Sequence, residues 1–449
     1  MKNKVLVVGD TILDIYTHTT MSRISPEAQV PILTHGSTRY VLGGASNVFR
    51  NLLALDCDSN FITVLGNDEY TIILNDLLRE SLNPNNSELR NYCSSQISYM
   101  NTVKHRFLAG NTQLYRLDRD NKHKLNMIDE YHISKMVSDY LSSGDYSYMI
   151  LSDYNKGMLS EELIRWLIEI ATKYDVLVLV DTKKKDLTCF NGAFLITPNE
   201  SEWESATKSA LFKNILITKG EKGMHWLNQN TFIDAIPVTN PDVSGAGDTV
   251  MATIASELAK GTDLLTSFKI ASLAASIVVS KPGTAVCYKS ELEKKISQGY
   301  LKICYTTKQL LQQVKDWRSQ KVSIGVVNGC FDILHSGHLD LIRFAKSICD
   351  KLIVLLNDDN YITKVKGTNR PYTQNRIQQL AAIKDVDAVA YFIEETPKRL
   401  LHLISPDYHF VGPDYITSLL EVTKLSPQET ETISLSKANT TIHTKEIVS

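Results

Sequence analysis

Short apolar runs recur along the chain at residues 5–8, 149–151, 176–180, 194–196, 215–217, 324–327 and 352–356, with stretches of helical spacing between them. Runs of three to five aliphatic residues suit strands buried on both faces and are too short for a core helix. Their alternation with helices predicts parallel sheets covered by helices, an α/β fold. A second, independent α/β unit begins at Val322, so the pattern predicts two domains, 1–305 and 321–449, joined by the polar helix 306–320. Residues 30–42 and 95–117 look like β structure interrupting the first α/β layer and predict a small β lid. The polar stretch 81–90, with Asn83-Pro84-Asn85-Asn86, reads as a surface loop.

Composition narrows the class. A chain of 449 residues is too long for one ordinary core. With 43% hydrophobic and 22% charged residues it is globular in composition. A net charge of −2 gives no global basic field of the kind that attracts nucleic acid or anionic membrane, so local clusters must meet anionic ligands. Seven scattered cysteines without a CxxC pair fit a reducing compartment. No apolar stretch reaches signal-peptide or membrane-spanning length. The expectation is a cytoplasmic protein.

Two turns carry candidate chemistry. In the first, Asn240-Pro241-Asp242-Val243-Ser244-Gly245-Ala246-Gly247-Asp248-Thr249 precedes the apolar helical run 250–258. Small residues at Gly245, Ala246 and Gly247 leave backbone N–H groups open at a helix N-terminus, where they and the helix dipole can hold charge on a transferring phosphoryl group. Asp248 can accept the proton of an attacking hydroxyl. Near the N-terminus, Asp10, Asp14, Gly43, Gly44 and Asn47 place carboxylates and an amide beside glycine turns, as recognition of sugar hydroxyls requires. Asn199 and Glu202 follow a strand and either orient Mg²⁺ through water, with no direct metal ligand, or simply cap a helix. Thr218-Lys219-Gly220-Glu221-Lys222-Gly223 lies along nucleotide phosphates or ribose, or is a hairpin turn.

Taken in order, these segments resemble the ribokinase/PfkB carbohydrate kinases over roughly the first 290 residues. With Ser22-Arg23-Ile24-Ser25-Pro26-Glu27-Ala28, Arg116-Leu117-Asp118 and Ser152-Asp153-Tyr154-Asn155-Lys156-Gly157 added, the resemblance narrows to the kinase half of the bifunctional heptose 7-phosphate kinase/heptose 1-phosphate adenylyltransferases. That resemblance implies a ribokinase-like fold and ATP-dependent phosphorylation of O1 of a heptose 7-phosphate, with Asp153 among the sugar-binding residues. Lys104, Arg106 and Arg116, in the expected lid, either meet the distal phosphate or form a solvated strand face. The chain departs from the family at Asp181-Thr182-Lys183-Lys184, where Asp-Pro-Lys-Gly is usual, and is shorter than usual between Trp203 and Ile215.

In the second turn, the strand 323–327 runs into Asn328-Gly329-Cys330-Phe331-Asp332-Ile333-Leu334-His335-Ser336-Gly337-His338 and the helix 339–347. His335 and His338 at a helix start, with Gly337 allowing close approach, can donate toward an α-phosphate; a metal site is the alternative for any His-x-x-His. The segment resembles the cytidylyltransferase-like nucleotidyltransferases, which have a smaller Rossmann-like α/β fold. The resemblance implies nucleotide contacts from Asn328, Gly329, Phe331, Asp332, Asn357, Lys366, Arg370 and Arg376, and attack of a sugar 1-phosphate on the α-phosphorus of ATP with Mg²⁺ and release of pyrophosphate. Departures fall at Val411 and Pro413, where Lys-Gly-Gly-Asp-Tyr is usual, and in the loosely matching 439–445. Together the resemblances imply ATP, Mg²⁺ and sugar phosphates as ligands, a homo-oligomer formed through the lid, most simply a dimer, and a place in lipopolysaccharide-core precursor synthesis. Two alternatives stay open: the same reactions on another phosphorylated sugar or polyol, with CTP in the second half, or a kinase half serving as an inactive scaffold or sensor.

Overall fold

The computed structural model describes residues 3–82, 87–93, 98–110, 112–121, 123–207, 212–304, 306–366, 372–411, 431–434 and 445–446. The chain forms two compact units, Met1–Leu292 and Glu293–Ser449.

In the first unit, nine strands lie side by side in the order Thr231–Ile233, Met224–Trp226, Asn214–Thr218, Leu195–Ile196, Leu177–Thr182, Tyr146–Asp153, Lys4–Gly9, Ser59–Leu65 and Ser87–Cys93. All neighbours are parallel except the hairpin pairs at the 224–233 edge. Along Lys4–Gly9, Val5 and Val7 face one core with Phe49, Met251 and Phe268, while Leu6 and Val8 face another with Ile133, Leu163 and Leu167. Two buried faces explain why such strands read as unbroken apolar runs. Every expected strand of this unit is present. Ser59–Leu65 is an additional buried strand, and Ser87–Cys93 is an edge strand where a surface loop was expected over 81–90. Its polar composition suits an edge, which needs only one paired side.

A four-stranded sheet, ordered Pro31–Gly44, Thr11–Ile24, Thr102–Ala109 and Thr112–Arg119, forms the lid. Three of its strands fall in the two segments expected to carry it. Thr11–Ile24 was not anticipated: its first half is buried and its second half exposed, so no single period runs through it.

The second unit holds the order Ile303–Cys304, Ala388–Phe392, Lys351–Asn357, Ile324–Gly329, Tyr408–Val411, Glu431–Ser434 and Lys445–Glu446, parallel except for the last pair. Starting from the central Ile324–Gly329 strand, the chain adds strands outward on one side before crossing to the other, as in a Rossmann-like sheet. The helix Thr307–Ser319, expected as a linker, belongs to this unit. Its Leu310, Val314 and Trp317 sit at helical spacing and are buried against Ile324, Val326, Ile353 and Leu355. That helix therefore packs with the second compact unit, Glu293–Ser449. Three buried side chains outweigh the otherwise polar surface of that helix.

Among the described residues no helix is long and apolar enough to cross a membrane.

Candidate active sites

The carboxyl ends of the parallel strands in the first unit bring the motif residues together, as expected for an open α/β sheet. Helix Ala246–Ala259 is entered from Gly245 at φ +74°, and a Cβ there would lie 2.7 Å from Asn47 Nδ2. Only glycine meets both constraints. One turn on, Asp248 is 3% exposed. Asn47 Nδ2 donates to its Oδ2 at 2.8 Å, and the Tyr154 hydroxyl donates to its Oδ1 at 2.5 Å. Burial pushes the Asp248 carboxyl up to about 7, against the opposing pull of the Tyr154 and Asn47 hydrogen bonds; Asp181 adds to the rise and Lys183 opposes it. A carboxylate titrating near neutrality at a helix N-terminus is suited to take a proton from an alcohol.

The other predicted sugar residues divide into two groups. Asp14 faces the lid strands: Arg106 Nη1 donates to its Oδ1 at 2.5 Å, and Thr284 Oγ1 donates to its Oδ2 at 3.3 Å. Gly43 leaves room for that carboxylate, since a Cβ would sit 2.3 Å from Asp14 Oδ2, and Gly44 takes φ +63° at the start of helix Ala45–Ala54. Asp10, by contrast, is turned to the backbone. Its carboxylate accepts from the N–H groups of Tyr154, Lys156 and Met158 at 2.9, 3.2 and 3.2 Å, clasping the loop that carries Tyr154. Burial, with Asp153 next, raises its carboxyl well above the ordinary range.

Asp153 is likewise committed: Thr182 Oγ1 donates to its Oδ2 at 2.9 Å, and Lys184 Nζ lies 3.2 Å from the same oxygen. The two residues that depart from the family pattern thus converge on one buried carboxylate. Asp181, also buried, is pushed up to about 6 by burial, with Lys183 opposing. Of the lid cations, Lys104 Nζ stands 5.5 Å from the Tyr154 ring centre, Arg106 pairs with Asp14, and Arg116 pairs with Asp118 at 2.6 Å on a more exposed strand.

Asn199 and Glu202 form a complete capping box on helix Glu200–Ser205, and Glu202 also accepts from Lys183 Nζ at 2.5 Å. The pair thus caps a helix, and Glu202 brings that cap within reach of the Asp181 and Lys183 group. Thr218-Lys219-Gly220-Glu221-Lys222-Gly223 is the hairpin between Asn214–Thr218 and Met224–Trp226; Lys219 pairs with Glu200 at 2.8 Å, and Gly223 takes φ +83°.

In the second unit, Asn328 and Gly329 end the central strand, Phe331 turns the chain at φ +45°, and His335 immediately precedes helix Ser336–Ile348. The His335 and His338 rings stack at 3.9 Å, with Phe331 5.0 Å from His338. A Cβ on Gly337 would press on the His335 ring at 3.2 Å. His409 Nε2 donates to Asn328 Oδ1 at 2.6 Å, and burial lowers this imidazole to about 4, keeping it neutral. Asp332 and Asn357 are buried near the same strand ends, and Cys330 Sγ lies 3.9 Å from Asn357 Oδ1.

Arg376, expected as a cation facing a triphosphate, is fully buried instead. It donates to the Cys330 carbonyl at 2.7 Å, to Thr373 Oγ1 at 2.9 Å and to Asp359 Oδ1 at 3.1 Å, so it braces the histidine loop from behind. Lys366 ends helix Asp359–Lys366, but its side chain, together with Arg370, Pro413 and 439–444, lies outside the described residues. Val411 ends its strand in a buried position.

Residue types did not single out Tyr154, Thr284 or His409. The signal for Tyr154 was its place within the Ser152–Gly157 motif. Nothing in sequence marks His409, which belongs to an apolar strand.

A buried carboxylate at a helix N-terminus under a small β lid, and paired histidines at the start of a Rossmann-like helix, belong to a sugar kinase joined to a nucleotidyltransferase. Residues 2–291 match the pfkB family carbohydrate kinases and 326–443 the cytidylyltransferase-like proteins. The chain belongs to the family of the bifunctional protein HldE. It is 35% identical to that protein from Paramagnetospirillum magneticum over 439 residues, covering 92% of this chain and 88% of the relative. It is 36% identical to the one from Nitrobacter hamburgensis, covering 92% and 89%. The fold of the first unit is that of Escherichia coli phosphofructokinase-2, solved with potassium: TM-score 0.54 at 19% identity over 66% of this chain and 98% of that one.

Proposed function

We propose that the first unit transfers the γ-phosphoryl group of ATP to O1 of a heptose 7-phosphate, giving heptose 1,7-bisphosphate, and that the second joins a heptose 1-phosphate, from which the 7-phosphate has already been removed, to AMP from ATP. The observation that carries the kinase reading is Asp248, buried, doubly hydrogen-bonded and titrating near 7 at the mouth of a helix. As O1 attacks the γ-phosphorus, its proton passes to an Asp248 oxygen and the bond from phosphorus to the ADP oxygen breaks. The amino end of helix Ala246–Ala259, at Gly245, Ala246 and Gly247, faces the charge that develops on the phosphoryl oxygens. Asn199 and Glu202 would hold Mg²⁺ through its water shell, where the ion would neutralise the polyphosphate. Lys104, Arg106 and Arg116 meet the distal phosphate from the lid.

In the second unit, the heptose 1-phosphate oxygen attacks the α-phosphorus and pyrophosphate leaves. His335 and His338 donate to the α-phosphate, and Phe331, Asp332 and Asn357 line the nucleotide. ADP-heptose of this kind feeds surface-glycan synthesis, including lipopolysaccharide core.

The exposed side chains Met21, Tyr40, Tyr115 and Leu117 on the lid strands favour a homo-oligomer formed through the lid, most simply a dimer. Escherichia coli phosphofructokinase-2 has itself been solved in a tetrameric inhibited form.

Mass spectrometry of products from the full-length chain with ATP, Mg²⁺ and a panel of sugar phosphates tests the substrate. Heptose 1,7-bisphosphate from heptose 7-phosphate, and ADP-heptose from supplied heptose 1-phosphate, are expected. Turnover confined to another sugar phosphate, or transfer from CTP alone, would overturn the assignment.

A further inference from the structure

Tyr154 is a half-buried polar group that the transfer reaction does not itself require. Its loop is clasped by three backbone N–H donations to Asp10, and its hydroxyl reaches Asp248 Oδ1 at 2.5 Å from 94 residues away in the chain. Two ammonium groups stand near the ring, Lys104 Nζ at 5.5 Å and Lys183 Nζ at 5.7 Å from its centre. Asn47 takes the other Asp248 oxygen. A carboxylate held at both oxygens by donors from two different elements cannot rotate, and a donated hydrogen bond favours its anionic form.

We propose that Tyr154 is a positioning residue of the kinase: its hydroxyl holds Asp248 in one orientation and keeps it available as a proton acceptor near neutral pH. The charged groups facing this pair come from three strands and the loop after one of them. Asp14 stands on Thr11–Ile24 and Lys104 on Thr102–Ala109; Asp181 lies on Leu177–Thr182, with Lys183 just beyond. Asp14 and Asp181 oppose ionisation of Tyr154 and burial opposes it most, so the phenol stays protonated and acts as donor. This proposal rests on Asp248 being the base.

The test is Tyr154→Phe in the full-length protein, which keeps the ring and its packing. Loss of a hydrogen bond to a charged group moves the acid limb of the kinase kcat/KM profile up by about one pH unit. At pH values below that limb, kcat/KM is then about tenfold lower than in the parent, while well above the limb the two converge. An unchanged thermal transition of the first unit in calorimetry reports that the kinase half is folded, and pyrophosphate release from supplied sugar 1-phosphate reports the same of the second unit. Adding Tyr154→Phe to Asp248→Asn should cost nothing further, because the hydroxyl acts through that carboxylate. An unmoved limb, or an equal loss in both backgrounds, overturns the proposal. Near-normal turnover in Asp248→Asn alone would instead overturn the base assignment, and the two failures are therefore distinguishable.

Discussion

At the residue scale, the two halves depend on side chains whose partners fix their roles. Asp248→Asn should lower kinase turnover by about 10²- to 10⁴-fold and leave nucleotidyl transfer intact, measured as ADP formation against pyrophosphate release. Gly43 tests the sugar side. An added methyl would lie 2.3 Å from Asp14 Oδ2, so Gly43→Ala must displace that carboxylate, and kinase kcat/KM should fall by on the order of 100-fold. Arg376 does the same work from inside the second unit. Arg376→Met leaves the Cys330 carbonyl without its buried donor; the expected cost is about 1–3 kcal/mol in stability, with nucleotidyl transfer reduced and kinase turnover unchanged. The motif residues Asp248, His335 and His338 were legible because chemistry restricts which types can serve at a helix start. Arg376 was visible as a cation but not as a buried brace, since a charge reads as solvent-facing until its partners are known.

At the element scale, strand runs and helix starts were readable wherever both faces are buried or a small-residue turn precedes the helix. Ser87–Cys93 and Thr11–Ile24 escaped because one is a polar edge and the other changes from buried to exposed midway. Helix Thr307–Ser319 shows the same limit: a mostly polar sequence hides the stripe Leu310, Val314 and Trp317. That stripe predicts the behaviour of fragments. A fragment beginning at Glu293 should unfold cooperatively on heating, whereas one beginning at residue 321 exposes the apolar faces of Ile324, Val326 and Leu355 and should aggregate or melt at lower temperature.

At the scale of the whole molecule, the two units carry titrations of opposite sign. In the first, burial holds Asp248 near 7 and Asp181 near 6 against an ordinary 3.8. Their folded forms bind more protons than the unfolded chain between about pH 4 and 7, so they favour folding at the acid end and that contribution is lost as pH rises. In the second, His409 is lowered from 6.5 to about 4, so its contribution is present above 6.5 and is lost as pH falls through that window. Calorimetry of the full chain should show His409→Gln flattening the acid-side decline of the second unit's transition, and Asp181→Asn flattening the first unit's loss toward neutrality.

The sequence by itself determined the number of catalytic units, their α/β class, and the two turns proposed to carry phosphorus chemistry. Periodicity and residue type are local properties, and a strand end followed by small residues and a helix is a local event. Tertiary structure alone decided what those turns face. Asn47 meets Asp248 across 201 positions and Tyr154 meets it across 94, while His409 reaches Asn328 across 81. Pairings over such distances follow from the order of strands in a sheet, and that order is set by packing two apolar faces at once.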